Sequence, residues 1–213
     1  MTQPLPTITL GDRFDFNGLI LDGVGGGGGA DGLRLDGVTD WNLKGLTLRN
    51  FSGHGVHLLN GARGNRLENI RVENCGGNGV FLNANATEND LIDMKVSVAG
   101  GHGLHVTGAG VRYNSVTLTP VGVTSILGLY EDCVGHGVLV DGGATFNVIH
   151  PGTVRNNGAT GILVTGPTTD HNVIGRNSNV VPRYNDIYNN NGHGVHLTTG
   201  VEGTVLRYLN PAG

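Results

Sequence analysis

Glycine followed by an apolar–any–apolar triplet recurs along the chain and gives it a regular hydrophobic pattern. The seven copies begin at positions 32, 55, 79, 103, 137, 161 and 194, so the steps between them are 23, 24, 24, 34, 24 and 33 residues. The two long steps equal the 24-residue period plus an insertion of about ten residues. Alternation within the triplets is typical of strands, and the fixed period indicates a repeat fold.

Each repeat carries two more short alternating segments. One begins with an asparagine followed by apolar residues, as at 65–67 and 89–91, and the other is seen at 46–49 and 70–73. Three short strands per period predict a coil of three parallel sheets, in which each of about seven rungs hydrogen-bonds to the next. The triplets' inward side chains would stack as the core: Val56, Leu58, Val80, Leu82, Leu104, Val106, Val138, Val140, Ile162 and Val164.

A second column lies five residues before each leading glycine and is mostly asparagine. Asparagine tolerates left-handed backbone and can pair amide to amide along a stack. We therefore predict an asparagine ladder at a turn, formed by Asn50, Asn74, Val98, Asp132, Asn156 and Asn189.

The tripeptide Gly-His-Gly occurs four times, which raises the question of a histidine active site. The histidines occupy the column immediately before the leading glycine, which holds Asp31, His54, Asn78, His102, His136, Thr160 and His193. A catalytic residue needs one special environment, whereas these positions are equivalent. The repeat therefore favours a polar turn position over an active site.

Two parts of the sequence contain residues that can bind a metal ion. Histidines three residues apart, such as His54 and His57, should point to opposite faces of a strand, and His57 and His105 should lie two rungs or roughly 9–10 Å apart. We therefore expect surface histidines and no zinc site.

Residues 26–34 match the calcium nonapeptide Gly-Gly-x-Gly-x-Asp-x-apolar-x, which makes Asp31 a calcium candidate. Because there is one copy only, a turn is the favoured interpretation, and we expect no cofactor.

Composition and charge narrow the picture further. Glycine is abundant, with 39 of 213 residues, and the net charge is −4 without a basic cluster, which excludes a typical nucleic-acid surface. No apolar run approaches the ~20 residues of a membrane span, and the first residues lack the features of a signal peptide. We expect one domain over residues 1–213.

The two cysteines fall in one column of the repeat. Cys75 and Cys133 both precede a leading glycine by four residues and would lie two rungs apart, beyond the ~7 Å limit for bridged α-carbons. We predict two free, buried thiols.

Two insertions, near 119–129 and at 176–184, leave the coil at the same edge and could form the walls of a cleft. Arginines and acids in such a groove would suit an acidic sugar polymer. The candidate cleft residues are His150, Arg155, Glu131, Asp132, Arg176, Arg183, Tyr130 and Tyr184. The alternative is that both insertions only cover an apolar sheet edge.

The outward position of each triplet defines an outward column: Arg34, His57, Phe81, His105, Leu139, Leu163 and His196. Phe81, Leu139 and Leu163 are unusual for a solvated face, so they are candidates for an interface with a partner or a second copy. Alternatively, other parts of the chain fold over them.

Several segments are similar to a known family. The stretches "GLTLRNFSGHGVHL", "GNRLENIRVENCGGNGVFL" and "NDIYNNNGHGVHL" resemble right-handed parallel β-helix repeat proteins of bacteria, in the pectate-lyase-like superfamily. The resemblance implies an all-β, single-stranded right-handed parallel β-helix. It also implies an exported protein, extracellular or at the cell surface. Relatives include polysaccharide lyases, hydrolases and alginate epimerases, but their catalytic motifs do not recur here.

We therefore expect a non-catalytic module, namely a rigid spacer or an adhesive or carbohydrate-contacting surface of an exported bacterial protein. The alternative is a polysaccharide-active enzyme or carbohydrate binder that uses the cleft near His150. Expected partners are a polysaccharide, or further copies bound through the outward face or the open ends of the coil. The first and last rungs lack caps, which suggests a piece of a longer coil.

Overall fold

The computed structural model describes residues 13–23, 28–119, 128–175, 185–207 and 209–211. These residues form short strands joined by tight turns. In chain order the strands are β1 (Arg13–Asp22), β2 (Leu33–Asp36), β3 (Asn42–Arg49), β4 (Val56–Leu59), β5 (Arg66–Glu68), β6 (Arg71–Cys75), β7 (Val80–Leu82), β8 (Asp90–Ile92), β9 (Lys95–Ala99), β10 (Leu104–Thr107), β11 (Ser115–Thr117), β12 (Leu129–Glu131), β13 (Val138–Asp141), β14 (Val148–Ile149), β15 (Thr153–Arg155), β16 (Ile162–Val164), β17 (Val173–Gly175), β18 (Asn185–Tyr188), β19 (Val195–Leu197), β20 (Val205–Arg207) and β21 (Leu209–Pro211).

The strands stack into parallel sheets that run along one axis. The glycine-led triplets form the sheet β2–β4–β7–β10–β13–β16–β19, in which equivalent triplet residues pair, as Val56 does with Val80. The other two rows, β5–β8–β11–β14–β17–β20 and β6–β9–β12–β15–β18–β21, both pair with the long strand β3 and merge there. The predicted coil of parallel sheets is confirmed, with the merger at β3 as the difference.

Strand β1 lies beside β3 and continues the stack on that side. Its pairing shifts register between Asp15 and Leu19, where Asn17 and Gly18 both have positive φ. None of the described residues forms a helix that could cross a membrane.

The core consists of the inward side chains of the strands, two from each triplet, as the triplet pattern predicted. All ten inward triplet residues are at most 1% exposed. Each buried aliphatic side chain contributes about 1.5–3 kcal/mol relative to an exposed one. Tyr130 also belongs to this core, since it pairs with Val96 and Val154 and is 1% exposed. The prediction that Tyr130 faces a cleft is therefore wrong, because the strand alternation of β12 directs it inward.

The predicted asparagine column does lie at a turn and has left-handed backbone throughout. Its members Asn50, Asn74, Val98, Asp132, Asn156 and Asn189 have φ between 55° and 59°. The amide of Asn74 donates to Oδ1 of Asn50 at 2.8 Å, as a ladder requires. Val98 interrupts the column with a β-branched side chain, for which this backbone conformation costs about 1–2 kcal/mol.

A second column of asparagines lies buried inside the coil. The sequence pattern predicted these residues only as the start of a strand. The members of this column are at most 1% exposed: Asn65, Asn89, Asn114, Asn147 and Asn172. Each side-chain amide donates to the Oδ1 of the next member at 2.9–3.2 Å, and the same Oδ1 accepts a backbone N–H of the previous rung. We keep the name asparagine ladder for these five buried residues and call the column with Asn50 and Asn74 the left-handed turn column.

The two cysteines behave as predicted: both are free and buried. Burial raises the pKa of Cys75 to about 11 and that of Cys133 to about 12. Both thiols therefore stay protonated at neutral pH, and neither supplies a thiolate nucleophile.

Candidate functional site

The column before each leading glycine forms a continuous row of hydrogen bonds between rungs. In each case a side-chain atom accepts the backbone N–H of the equivalent residue one rung later, at distances of 2.8–3.1 Å. The pairs are Asp31 Oδ1 with His54, His54 Nδ1 with Asn78, Asn78 Oδ1 with His102, His102 Nδ1 with His136, and His136 Nδ1 with Thr160. We call the five acceptors Asp31, His54, Asn78, His102 and His136 the turn ladder.

The glycines that flank these residues follow from the turn ladder and the core. A Cβ at Gly77 would lie 2.6 Å from Nδ1 of His54, so the glycine before the polar residue makes room for the acceptor of the previous rung. A Cβ at Gly79 would lie 2.7 Å from the carbonyl oxygen of Gly103. In three of its four copies, at His54, His102 and His136, Gly-His-Gly is therefore a packing motif in which histidine serves as a hydrogen-bond acceptor.

The hydrogen bonds fix the protonation state of the ladder histidines. An imidazole Nδ1 that accepts an N–H carries no proton, so the neutral ring holds its proton on Nε2. Burial lowers the pKa of His54 and His136 below the usual range and lowers that of His102 to about 4. These rings are therefore neutral at pH 7.

The second histidine of each His-Gly-x-His segment lies beside the first. The ring centroids of His54 and His57 are 4.9 Å apart, and those of His102 and His105 are 5.1 Å apart. The prediction that such pairs point to opposite faces is wrong, because His54 lies in the turn and strand β4 begins only at Val56. Strand alternation does not extend across the intervening glycine.

His57 is also buried rather than on the surface as predicted, with 6% of the residue exposed. Its Nδ1 lies 2.9 Å from Oδ2 of Asp31 and its Nε2 lies 3.2 Å from Oδ1 of Asn83. Burial alone would raise the pKa of Asp31, but the N–H of His54 and the ring of His57 outweigh it, so that pKa lies below its usual range. Asp31 thus joins both histidines into one cluster.

Asp31, His54 and His57 place three possible ligand atoms within 4.8 Å of one another, and this donor set is one that zinc accepts. The hydrogen bonds do not fit a metal site. A metal on Nε2 of His54 would require a proton on Nδ1, and that proton would face the N–H of Asn78. Both carboxylate oxygens of Asp31 already accept hydrogen bonds. The same engagement disfavours Asp31 as a calcium ligand; residues 26 and 27 of the nonapeptide lie outside the described residues.

The middle of the outward column is partly covered by its own side chains, whereas Arg34 and His196 at its two ends are exposed. Phe81 stacks between His57 and His105, with centroid distances of 4.9 and 5.1 Å. Leu139 pairs with His105 and Leu163 in the sheet and is buried, with 6% exposed. The burial of Leu139 disfavours it as an interface residue, while Phe81 and Leu163 are half-buried.

The predicted cleft near His150 is described only in part. Arg176, Arg183, Tyr184 and most of both insertions lie outside the described residues. His150 follows β14 and is 9% exposed, and its backbone N–H donates to the carbonyl of Val116 at 2.7 Å. Asp132 is exposed in the left-handed turn column.

Arg155 and Glu131 form an ion pair across neighbouring rungs. The Nε and Nη2 atoms of Arg155 lie 2.7 and 2.6 Å from Oε2 of Glu131, and its Nη1 donates to the hydroxyl of Tyr188 at 2.9 Å. The Tyr188 hydroxyl and the Glu131 carboxylate raise the pKa of Arg155. The guanidinium that was expected to bind a sugar carboxylate is thus already paired with residues of the coil. Tyr188 was not predicted as a site residue. It lies one rung after Arg155, and the 33 residues between them in sequence are one repeat plus an insertion.

Comparison with known families agrees with the architecture. The profile of the family described as right-handed β-helix region matches residues 31–207. No curated protein and no solved structure matches the chain. Together with the stacked parallel strands, the match indicates that the coil is right-handed.

Proposed function

This chain belongs to the right-handed β-helix family, and we propose that it serves as a non-catalytic module, a rigid adhesive spacer of an exported bacterial protein. One observation carries the proposal. Three of the four histidines in the Gly-His-Gly motif, His54, His102 and His136, are acceptors of the turn ladder, each fixed by a backbone N–H of the next rung.

The charged side chains support the same proposal, because many of them bridge successive rungs. Lys44 pairs with Glu68 at 2.7 Å and Arg66 pairs with Asp90 at 2.9 Å. Such partly exposed pairs contribute little stability singly, about 0–1 kcal/mol each. They do hold their partners in place, which favours a stiff rod over a set of free catalytic groups.

Exposed aromatic rings along one edge of the coil support the adhesive role. Tyr113, Phe146 and His171 occupy one column and stack with centroid distances of 5.4 and 5.0 Å. Tyr113 is 53% exposed and Phe146 is 44% exposed. Aromatic side chains are enriched where proteins bind partners.

Thermal-shift measurements with neutral and acidic polysaccharides, with and without calcium, test the proposal together with analysis of reaction products. Ligand binding to the folded state raises its melting temperature. We expect no product from any polymer and no effect of calcium. A polymer-specific rise without product supports adhesion, and no rise supports a spacer.

The enzyme alternative predicts a different result. Product formed from one polymer and abolished by His150→Ala, with His196→Ala as the exposed control, would overturn the proposal. Product formation is the readout because His150 is buried and its replacement alone can lower the melting temperature.

A further inference from the structure

The turn ladder uses two kinds of acceptor for the same bond. Asp31 and Asn78 accept through oxygen at 2.8 Å, whereas His54, His102 and His136 accept through Nδ1 at 2.9, 2.9 and 3.1 Å. The amide oxygen of asparagine keeps its acceptor at any physiological pH. An imidazole accepts only while it is neutral, because protonation turns Nδ1 into a donor.

We propose that His54, His102 and His136 make this coil an acid-sensitive device, in which protonation breaks the turn ladder at the N–H groups of Asn78, His136 and Thr160 and loosens the rungs on either side. Two donors would then face each other at each broken position. A buried N–H left without an acceptor is unfavourable because it has lost its solvation without gaining a partner, so the broken ladder favours opening of the turns.

The surroundings of His102 and His136 strengthen the effect. Their rings stack with centroids 5.2 Å apart, so two protonated rings would repel each other. His105 faces both rings and adds to the repulsion, while Asp141 opposes it. Asp141 is itself bound to Nε2 of His105 at 3.0 Å.

His54 has a more mixed environment. Asp31 faces it and favours its charged form, while His57, His105 and Arg34 disfavour that form. We therefore assign most of the acid sensitivity to His102 and His136.

The direction of the pH effect follows from the lowered values. Burial lowers the pKa of His102 to about 4 from an ordinary 6.5, so between these values the unfolded chain binds more protons than the folded chain. The stabilising effect is complete above about pH 6.5 and is lost as pH falls toward 4. A difference of this size corresponds to roughly 300-fold in the folding equilibrium constant, and solvent screening of this half-buried ring reduces it to about 30–100-fold.

Asparagine substitutions provide a matched test, because the ladder itself uses asparagine at position 78. We would measure urea unfolding at pH 7.5 and 4.5 for the wild type, His102→Asn, His136→Asn and the double variant. The variants keep an acceptor but lose the titrating group. The folding equilibrium constant should fall between pH 7.5 and pH 4.5 in both proteins. We expect the factor by which it falls to be at least tenfold smaller in the double variant than in the wild type. An equal loss in both proteins would overturn the proposal.

Two further measurements guard the test. His196→Asn replaces an exposed histidine outside the turn ladder and should leave the pH profile unchanged, which controls for a general effect of removing histidine. Should the double variant fail to fold, ¹⁵N spectra of the wild-type imidazoles decide instead. Rings with Nε2–H at pH 7, a midpoint for His102 well below its usual range and a lowered midpoint for His136 support the proposal, and Nδ1–H rings or ordinary midpoints overturn it.

Discussion

The asparagine ladder and the turn ladder perform the same task at two positions on the coil but differ in composition. Each places one polar side chain per rung and uses its acceptor to satisfy a backbone N–H of a neighbouring rung. The asparagine ladder contains one residue type and is fully buried. The turn ladder contains Asp, His and Asn, and each of its members is either half-buried or buried.

The difference has a chemical reason. Inside the coil, each asparagine must accept with Oδ1 and donate with Nδ2, as Asn114 does toward Asn89 and Asn147. A short amide offers an acceptor oxygen and two N–H donors, whereas a hydroxyl has one hydrogen to donate. Asn114 uses both donors, one to Ala86 and one to Asn147. The turn ladder needs an acceptor alone, so several residue types serve. That freedom admits histidine, and with histidine comes dependence on pH.

Asn114→Ala should have the largest effect, because it breaks the buried ladder at its centre. The change removes the acceptor for the backbone and side-chain N–H groups of Asn89 and the donor to the carbonyl of Ala86. Buried polar groups left without partners cost about 1–3 kcal/mol each. We expect the free energy of unfolding in urea to fall by about 3 kcal/mol.

The control for this change is Asn60→Ala, which removes an exposed asparagine that bonds Asp36. That variant should lose only about 1 kcal/mol, because the φ of 51° at position 60 suits asparagine better than alanine but no buried group is left without a partner. Equal losses at positions 60 and 114 would contradict the special role of the buried ladder.

Gly77→Ala should have a smaller effect and acts on the turn ladder through crowding. The new methyl group would lie 2.6 Å from Nδ1 of His54 and 3.1 Å from the carbonyl carbon of Gly53. Forced displacement in a packed region costs about 1–3 kcal/mol, so we expect a loss near 2 kcal/mol in the free energy of unfolding. Gly28→Ala, whose methyl group meets nothing within 4 Å, should change stability little. An unchanged Gly77→Ala protein would show that the turn yields without cost.

Val98→Asn should have the smallest effect and the opposite sign. Asparagine tolerates the φ of 58° at this position better than valine does, and it could extend the amide pairing of Asn50 and Asn74. We expect stabilisation by about 1 kcal/mol, seen as a higher melting temperature. Val134→Asn changes an exposed valine without left-handed backbone and should give no rise. A destabilised Val98→Asn protein would indicate that the exposed valine contributes packing.

Particular residues show how far the sequence could be interpreted. The inward residues of the triplets were predicted correctly because strand alternation and a fixed period leave one face for the core. The free cysteines were predicted correctly because column position fixes their separation. Tyr130 was misassigned because the insertion before it obscured the alternation of β12. The role of Arg155 required its partners, since Glu131 and Tyr188 lie 24 and 33 residues away in sequence.

The recurring asparagines at 65, 89, 114, 147 and 172 contained a signal that was read only as the start of a strand. A polar residue kept at the same column next to apolar residues indicates a buried, satisfied amide. The turn ladder had a weaker signal, namely that Asp, His, Asn and Thr all carry an acceptor.

The sequence by itself determined the parallel coil, because its period and alternation allow one way of burying the apolar triplets. Only the tertiary structure decided what the histidines do. Which nitrogen accepts, from which N–H, and beside which neighbour depends on the stacking of rungs, and residues that meet there are 23 to 34 positions apart in the chain. Hydrogen-bond direction sets which ring nitrogen carries the proton, and burial lowers the pKa of the ring. Neither property can be predicted from a local sequence motif.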